Sequence, residues 1–151
     1  MSKIVFHNSV PEQSTYKLAL QQKITEVCRA IEFDDSDIIW KIFNNSDFNV
    51  KKHAMNCGWN LEGLFTVKRG EDYGYCYPKR NEVWISILAF QQDTCALKNI
   101  STGLALPLYR DGILADVLID EITHMQTKRD HNDPYYNFKF EENKSKYFRR
   151  T

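Results

Sequence analysis

The sequence lacks an excess of charge of either sign. Its 151 residues include 20 basic and 20 acidic side chains, which gives a formal net charge of +0. The basic pairs are scattered along the chain, as solvated surface residues are. Proteins that bind nucleic acid or an anionic membrane through their overall field carry a basic excess. We therefore do not expect nucleic acid as a partner.

Long apolar runs and closely spaced cysteines are also missing. No run approaches the roughly 20 apolar residues that span a bilayer, and residues 1–7 turn polar too soon for a signal peptide. Cys28, Cys57, Cys76 and Cys95 are far apart and form no C-x-x-C pair, which argues against a disulfide framework and a four-cysteine zinc site. These features predict a cytoplasmic protein with reduced thiols and no membrane partner.

Internal repeats and low-complexity linkers are absent as well. Hydrophobic residues make up 42% of the chain. That is enough for one buried core, whereas a second independent core would be crowded in this length. Residues 1–151 are therefore expected to form a single domain.

Hydrophobic periodicity and turn residues predict both helices and strands, and therefore an α+β fold. In chain order the expected elements are a helix from 11–14 to about 31, a strand at 38–43, an irregular excursion at 47–72 with a strand at 64–67, a hairpin with arms 73–77 and 82–88, a connector at 89–108 with a helical turn near 94–97, and two helices at about 110–127 and 134–148.

The segment Asp120-Glu121-Ile122-Thr123-His124 lies in the first of these last two helices. It matches the metal-binding pattern H-E-x-x-H except that an aspartate stands at the first position. Each residue of a helix turns by about 100°, so Asp120 and His124 share a face on which two ligands can converge on one ion. A different face carries apolar residues and is expected to be core: Leu114, Leu118, Ile122 and Met125.

The turn after this helix offers a third metal ligand. His131 is the expected ligand, and Asp130 is the alternative because a shift of one residue in the turn would exchange them. Three protein ligands leave a fourth position for water, on which Glu121 would act as general base. Zinc is the expected metal. The carboxylate of Asp120 makes manganese or iron competitive, and its presence in place of a histidine leaves open that no metal binds.

With its surroundings, the motif resembles a family of metallopeptidases. Residues 115–124 and 130–136 are similar to the zincins of the SprT-like and YgjP-like (WLM-type) kind, which carry L-x-H-E-L-x-H, a short spacer, and a third histidine followed by an aromatic residue. The resemblance implies a zincin-like fold whose metal-site half covers about 73–140. It also implies a small, mostly antiparallel sheet packed on the N-terminal helix and the metal-site helix, and metal-dependent hydrolysis of a peptide bond.

The same resemblance implies where a substrate binds. In these families an edge strand holds an extended peptide by backbone pairing, and the strand at 83–87 takes that place here. Val83, Ile85 and Tyr136 are therefore expected to contact a protein or peptide substrate or partner. Because Asp120 departs from the family pattern, a catalytically inactive zincin-like interaction module is the competing interpretation.

Overall fold

The computed structural model describes residues 3–11, 14–60, 63–68, 72–92 and 113–148. Within these ranges the chain forms one sheet, several α-helices and a short 3-10 helix at Pro78–Arg80. The strands are β1 (Lys3–Phe6), β2 (Ile39–Phe43), β3 (Phe65–Lys68), β4 (Asp72–Tyr77) and β5 (Glu82–Ser86). The helices are α1 (Ser14–Ile31), α2 (Val50–Asn56), α3 (Ile87–Gln92), α4 (Ile113–Thr127) and α5 (Pro134–Phe148).

The five strands form a mixed sheet in the order β1-β2-β5-β4-β3. The β1/β2 and β2/β5 pairs are parallel, whereas the β5/β4 and β4/β3 pairs are antiparallel. The architecture agrees with the α+β class, but the expectation of a mostly antiparallel sheet is wrong. The physical reason is the connection between β1 and β2. Helix α1 carries the chain back along the sheet before β2 begins, so β2 runs in the same direction as β1.

One face of the sheet shares a hydrophobic core with α1, α3, α4 and α5. The apolar face predicted for α4 is confirmed, because Leu114, Leu118 and Ile122 have no exposed surface and Met125 is 9% exposed. Full burial of one such side chain stabilises the fold by about 1.5–3 kcal/mol. Helix α4 is therefore firmly attached to the core, and the residues on its other faces are held in fixed positions.

Helix α2 and aromatic residues cover the opposite face of the sheet. This helix lies within residues 47–72, which were expected to be irregular apart from one strand. The side chain of Asn49 accepts a hydrogen bond from the Lys52 amide and so caps its first turn. The expected strand at 64–67 is present as β3, shifted by one residue. The cluster on this face comprises Phe43, Val50, Ala54, Leu64, Tyr75, Tyr77 and Trp84.

Strand β5 lies in the interior of the sheet. It is paired with β2 on one side and with β4 on the other, and Val83 and Ile85 have no exposed surface. The expectation that β5 is an edge strand is therefore wrong, because both of its edges are paired, and a contact of Val83 and Ile85 with a substrate stays a prediction. At this end of the sheet the outermost strand is β3.

The remaining expectations concern the connector and the cysteines. The connector predicted at 89–108 begins within α3, and the helical turn near 94–97 lies outside the described residues. Cys28, Cys57 and Cys76 are free thiols, as expected, and Cys95 also lies outside the described residues. In the part of the chain that the structure describes, no helix has the length and apolar character needed to cross a bilayer.

Candidate metal centre

Helix α4 places Asp120 and His124 side by side. His124 Nε2 lies 3.1 Å from Asp120 Oδ1, which is the contact that residues one helical turn apart make. The His124 side chain is fully buried, and that of Asp120 is 14% exposed. The pair therefore lies at the edge of the core, with the aspartate towards solvent.

The turn between α4 and α5 returns His131 to this pair. Lys128, the first residue after α4, has a φ of 56°, and its amide donates a hydrogen bond of 2.8 Å to the His124 carbonyl. This left-handed residue ends the helix and reverses the chain. The Asp133 carboxylate then accepts an amide hydrogen bond in the first turn of α5 and caps that helix. As a result His131 Nε2 lies 3.2 Å from Asp120 Oδ1 and 3.2 Å from His124 Nε2.

The separations between these three ligand atoms fit a single metal ion. Two ligand atoms that bind one ion tetrahedrally at about 2.0–2.1 Å are about 3.3–3.4 Å apart. The observed separations among Asp120 Oδ1, His124 Nε2 and His131 Nε2 are 3.1–3.2 Å, close to this value. The three residues form a group that could hold a metal ion. Two histidines and one carboxylate also suit several divalent metals.

Hydrogen bonding and stacking fix the orientation of His124. Its Nδ1 lies 2.7 Å from the Arg129 carbonyl, which can only accept a hydrogen bond. Nδ1 therefore carries a proton, and Nε2 faces Asp120 and His131, the orientation that metal-binding histidines also have. The ring is stacked between Phe65, at a centroid distance of 4.7 Å, and Tyr136, at 4.5 Å.

Asp120 is held in its charged form. Burial acts to raise its pKa, but hydrogen bonds from His124, His131 and Tyr136 outweigh that effect and lower the pKa to about 2. The Tyr136 hydroxyl donates to Asp120 Oδ1, and burial followed by the charge of Asp120 raises the pKa of the tyrosine. The ionised form is the one in which an aspartate binds a metal.

His131 and Asp130 have different positions in this site. The structure brings His131, and not Asp130, to Asp120 and His124. The Asp130 carboxylate is 76% exposed and lies 3.3 Å from Nδ1 on the outer side of the His131 ring. The hydrogen bond with Asp120 raises the pKa of His131, with the charge of Asp130 as a smaller contribution, against the lowering effect of burial. Asp130 therefore lies beside His131, outside the candidate cluster.

Glu121, the expected general base, is fully buried against β4. Among the described residues neither of its carboxylate oxygens has a hydrogen-bond partner. Gly74 of β4 lies beside it: a Cβ added there would make an ordinary contact of 3.6 Å with Glu121 Oε2, and tighter ones of 3.2 Å with Val117 Cγ1 and 3.0 Å with the Trp84 carbonyl. Burial, and secondarily the charge of Asp120, raises the pKa of Glu121 well above its usual value. An unpaired buried carboxyl group is costly, and burial in this form disfavours its charged state.

Tyr136 is at the site, but it does not offer an open surface. Its side chain is 2% exposed and its hydroxyl donates a hydrogen bond to Asp120, so it contacts the candidate cluster from within the core, and its contact with a substrate stays a prediction. Two further residues contact His124, and no sequence motif predicts that either of them does so. Phe65 comes from a distant strand, and Arg129 acts through its backbone carbonyl.

Comparisons of the chain with models of known families, with curated proteins and with solved structures found no match. A function for this chain therefore has to be inferred from the chemistry of the site.

Proposed function

We propose that this chain is a metal-dependent hydrolase of zincin-like fold, in which Asp120, His124 and His131 hold a divalent ion, zinc in the first instance. The observation that carries the proposal is the convergence of three ligand atoms within 3.1–3.2 Å of one another. A divalent ion supplies Lewis acidity, which polarises a carbonyl group and lowers the pKa of a bound water. Two hydrogen bonds support the proposal, one between Tyr136 and Asp120 and one between the Arg129 carbonyl and His124. They hold the two side chains in orientations suited to binding a metal.

Glu121 is the proposed general base. A general base is most effective when its pKa lies near the working pH, and burial raises the pKa of Glu121 in that direction. In the proposed reaction its carboxylate accepts the proton of the attacking water and returns it to the leaving amine. Its position directly after Asp120 in α4 keeps this carboxylate within electrostatic range of the ligands.

The proposed substrate is an extended peptide that pairs with β3. This strand is the last of the sheet on the side of the metal centre, and at its start Phe65 stacks on His124. A peptide added at such an edge gains backbone hydrogen bonds and runs past the site. Strand β3 thus replaces β5 in the role that the sequence had suggested.

Zinc titration of the chelator-treated protein tests the metal site. We expect one bound equivalent, and a loss of affinity greater than about 100-fold in each of Asp120→Asn, His124→Gln and His131→Gln, because removal of a ligand costs more than the roughly 10–100-fold attached to its supporting groups. His53→Gln is the matched control, since His53 is a histidine outside the cluster. No zinc binding by the wild type, or an equal loss in His53→Gln, would contradict the assignment.

Hydrolysis is tested separately with a fluorogenic peptide library and the variant Glu121→Gln. We expect this variant to keep its zinc and to lose about 10²- to 10⁴-fold in rate, the usual contribution of a general base. Equal rates for the wild type and Glu121→Gln would remove Glu121 from the proposed mechanism.

The second candidate is a zincin-like module that binds a partner without catalysis. The specific observation in its favour is the complete burial of Glu121, which leaves its carboxylate without a hydrogen-bond partner among the described residues. The variant Asp120→His restores the usual motif. Peptidase activity in this variant together with none in the wild type would favour the module, and equal activity in both would exclude it.

A further inference from the structure

A small pocket adjoins the metal centre on the side of Phe65. It has a volume of about 250 Å³ and lies between the start of β3, the 3-10 helix after β4 and the residue that ends α4. Pockets that enclose drug-sized ligands have volumes of about 300–1,000 Å³, so this pocket suits a single side chain. Its lining residues are Asn60, Gly63, Phe65, Pro78, Lys79 and Lys128.

The pocket shares two residues with the surroundings of His124. Phe65 lines the pocket and stacks on the His124 ring at 4.7 Å. Lys128 lines it as well, and its amide is hydrogen bonded to the His124 carbonyl at 2.8 Å. A peptide running along β3 past the metal centre would therefore carry one of its side chains to the mouth of this pocket.

The lining combines two cations with apolar surface. Lys79 and Lys128 are exposed, and neither forms an ion pair with a carboxylate among the described residues. No described acidic residue lines the pocket. Phe65 and Pro78 add apolar surface suited to methylene groups. Gly63 keeps the wall open, because a Cβ there would lie 3.3 Å from the Tyr77 ring and 3.8 Å from Lys79 Cε.

We infer that this pocket is a specificity subsite for an acidic side chain, glutamate above all, of the peptide held at the metal centre. The ligand has a carboxylate for Lys79 and Lys128 and a short aliphatic stem for Phe65 and Pro78. Its identity as part of a substrate rests on the proposed function, whereas the binding of the acidic side chain does not.

Binding of small probes to the metal-free protein tests the subsite. We would titrate N-acetylglutamate methylamide and its glutamine counterpart, which has nearly the same shape without the charge, and follow the backbone amides of Gly63 and Lys128 by NMR. We expect the glutamate probe to bind about three- to tenfold more tightly, the range for two exposed lysines acting on one carboxylate. Equal affinities, or no shift of these two amides with either probe, would overturn the inference.

Variants of the lysines make the test specific. The double variant Lys79→Gln/Lys128→Gln should lose the preference for glutamate, and Lys51→Gln, which changes an exposed lysine of α2, should keep it. A preference that survives in the double variant would also overturn the inference. Zinc titration separates the two proposals. Glutamate binding without zinc binding would support the subsite and contradict the hydrolase. Zinc binding without a preference for glutamate would support the metal site and contradict the subsite.

Discussion

Replacing Tyr136 by phenylalanine tests whether the hydroxyl group of this residue prepares Asp120 for metal binding. The ring is 2% exposed and stacks on His124 at 4.5 Å and on Phe140 at 5.6 Å. Phenylalanine preserves both stacks and fills almost the same volume. The substitution therefore removes one hydrogen bond to a carboxylate and little else.

The expected magnitude follows from that single hydrogen bond. A hydrogen bond to a charged group contributes about 1.5–3 kcal/mol, and about 1.4 kcal/mol corresponds to a factor of ten in affinity. Loss of a group that supports a metal ligand usually costs about 10- to 100-fold in metal affinity, and zinc affinity should fall by about that factor in Tyr136→Phe. Asp120 keeps its contacts with His124 and His131, so the free energy of unfolding of the metal-free protein should fall by only about 1–2 kcal/mol.

Two measurements and one matched control check this prediction. Zinc affinity is measured by calorimetry against a competing chelator, and the free energy of unfolding by urea titration in chelator. The control is Tyr135→Phe, which removes the same hydroxyl from the neighbouring residue, whose side chain is 53% exposed. If Tyr136→Phe bound zinc as tightly as Tyr135→Phe, the hydroxyl would have no role in preparing the ligand.

Three further predictions concern other parts of the molecule. Gly74→Ala should lower the free energy of unfolding by about 1–3 kcal/mol, because the new methyl group would overpack the contact between β4 and α4; an unchanged urea midpoint would contradict this close contact. Asp133→Ala should cost about 1 kcal/mol through loss of the α5 cap, whereas Asn132→Ala should cost less than half of that in the same urea assay, and equal costs would argue against the cap. In the native protein iodoacetamide should modify Cys57, which is exposed, far faster than Cys28, whose pKa is raised to about 12 by burial. Peptide mapping by mass spectrometry measures both rates, and equal labelling of the two thiols would show that Cys28 is accessible.

The helices that carry the candidate metal centre could be predicted from sequence because their signals are local. The apolar repeat of Leu114, Leu118 and Ile122 defines the buried face of α4, and the position of His124 relative to Asp120 follows from the helical repeat alone. Pro134 marks the first residue of α5, where the missing amide hydrogen of proline does no harm. The residues of the candidate site that lie in α4 could therefore be placed before any tertiary structure was known.

Strand order could not be predicted in the same way, because it depends on pairing between distant residues. Trp40 pairs with Val83 in the parallel β2/β5 ladder, and no local pattern encodes that partnership. One signal was nevertheless present. Val83, Trp84 and Ile85 are apolar on both faces of the strand, and every residue of β5 is buried, which is typical of a central strand and not of an edge. The sequence Val-Trp-Ile was thus a stronger argument for burial than for substrate binding.

The groups that orient His124 were the hardest to anticipate. The Arg129 carbonyl is a backbone group, so the type of residue at that position gives no indication of its role. Phe65 reaches the site only because β3 is paired at the end of the sheet, which again depends on strand order. In both cases the contact arises from tertiary packing, and a residue-type pattern contains no information about it.

The stack of Phe65 on His124 connects the proposed binding of a peptide at the edge of the sheet with the proposed binding of an ion at helix α4. Phe65 is part of the edge strand at which a peptide would be added, and His124 is one of the residues that would hold the ion. A peptide that displaces Phe65 on binding would also change the position of the His124 ring. Thermodynamic linkage makes such an effect reciprocal: the factor by which a bound peptide changes the affinity for zinc equals the factor by which zinc changes the affinity for the peptide. Saturating zinc would then act as an allosteric effector of peptide binding even in a Glu121→Gln protein that performs no hydrolysis.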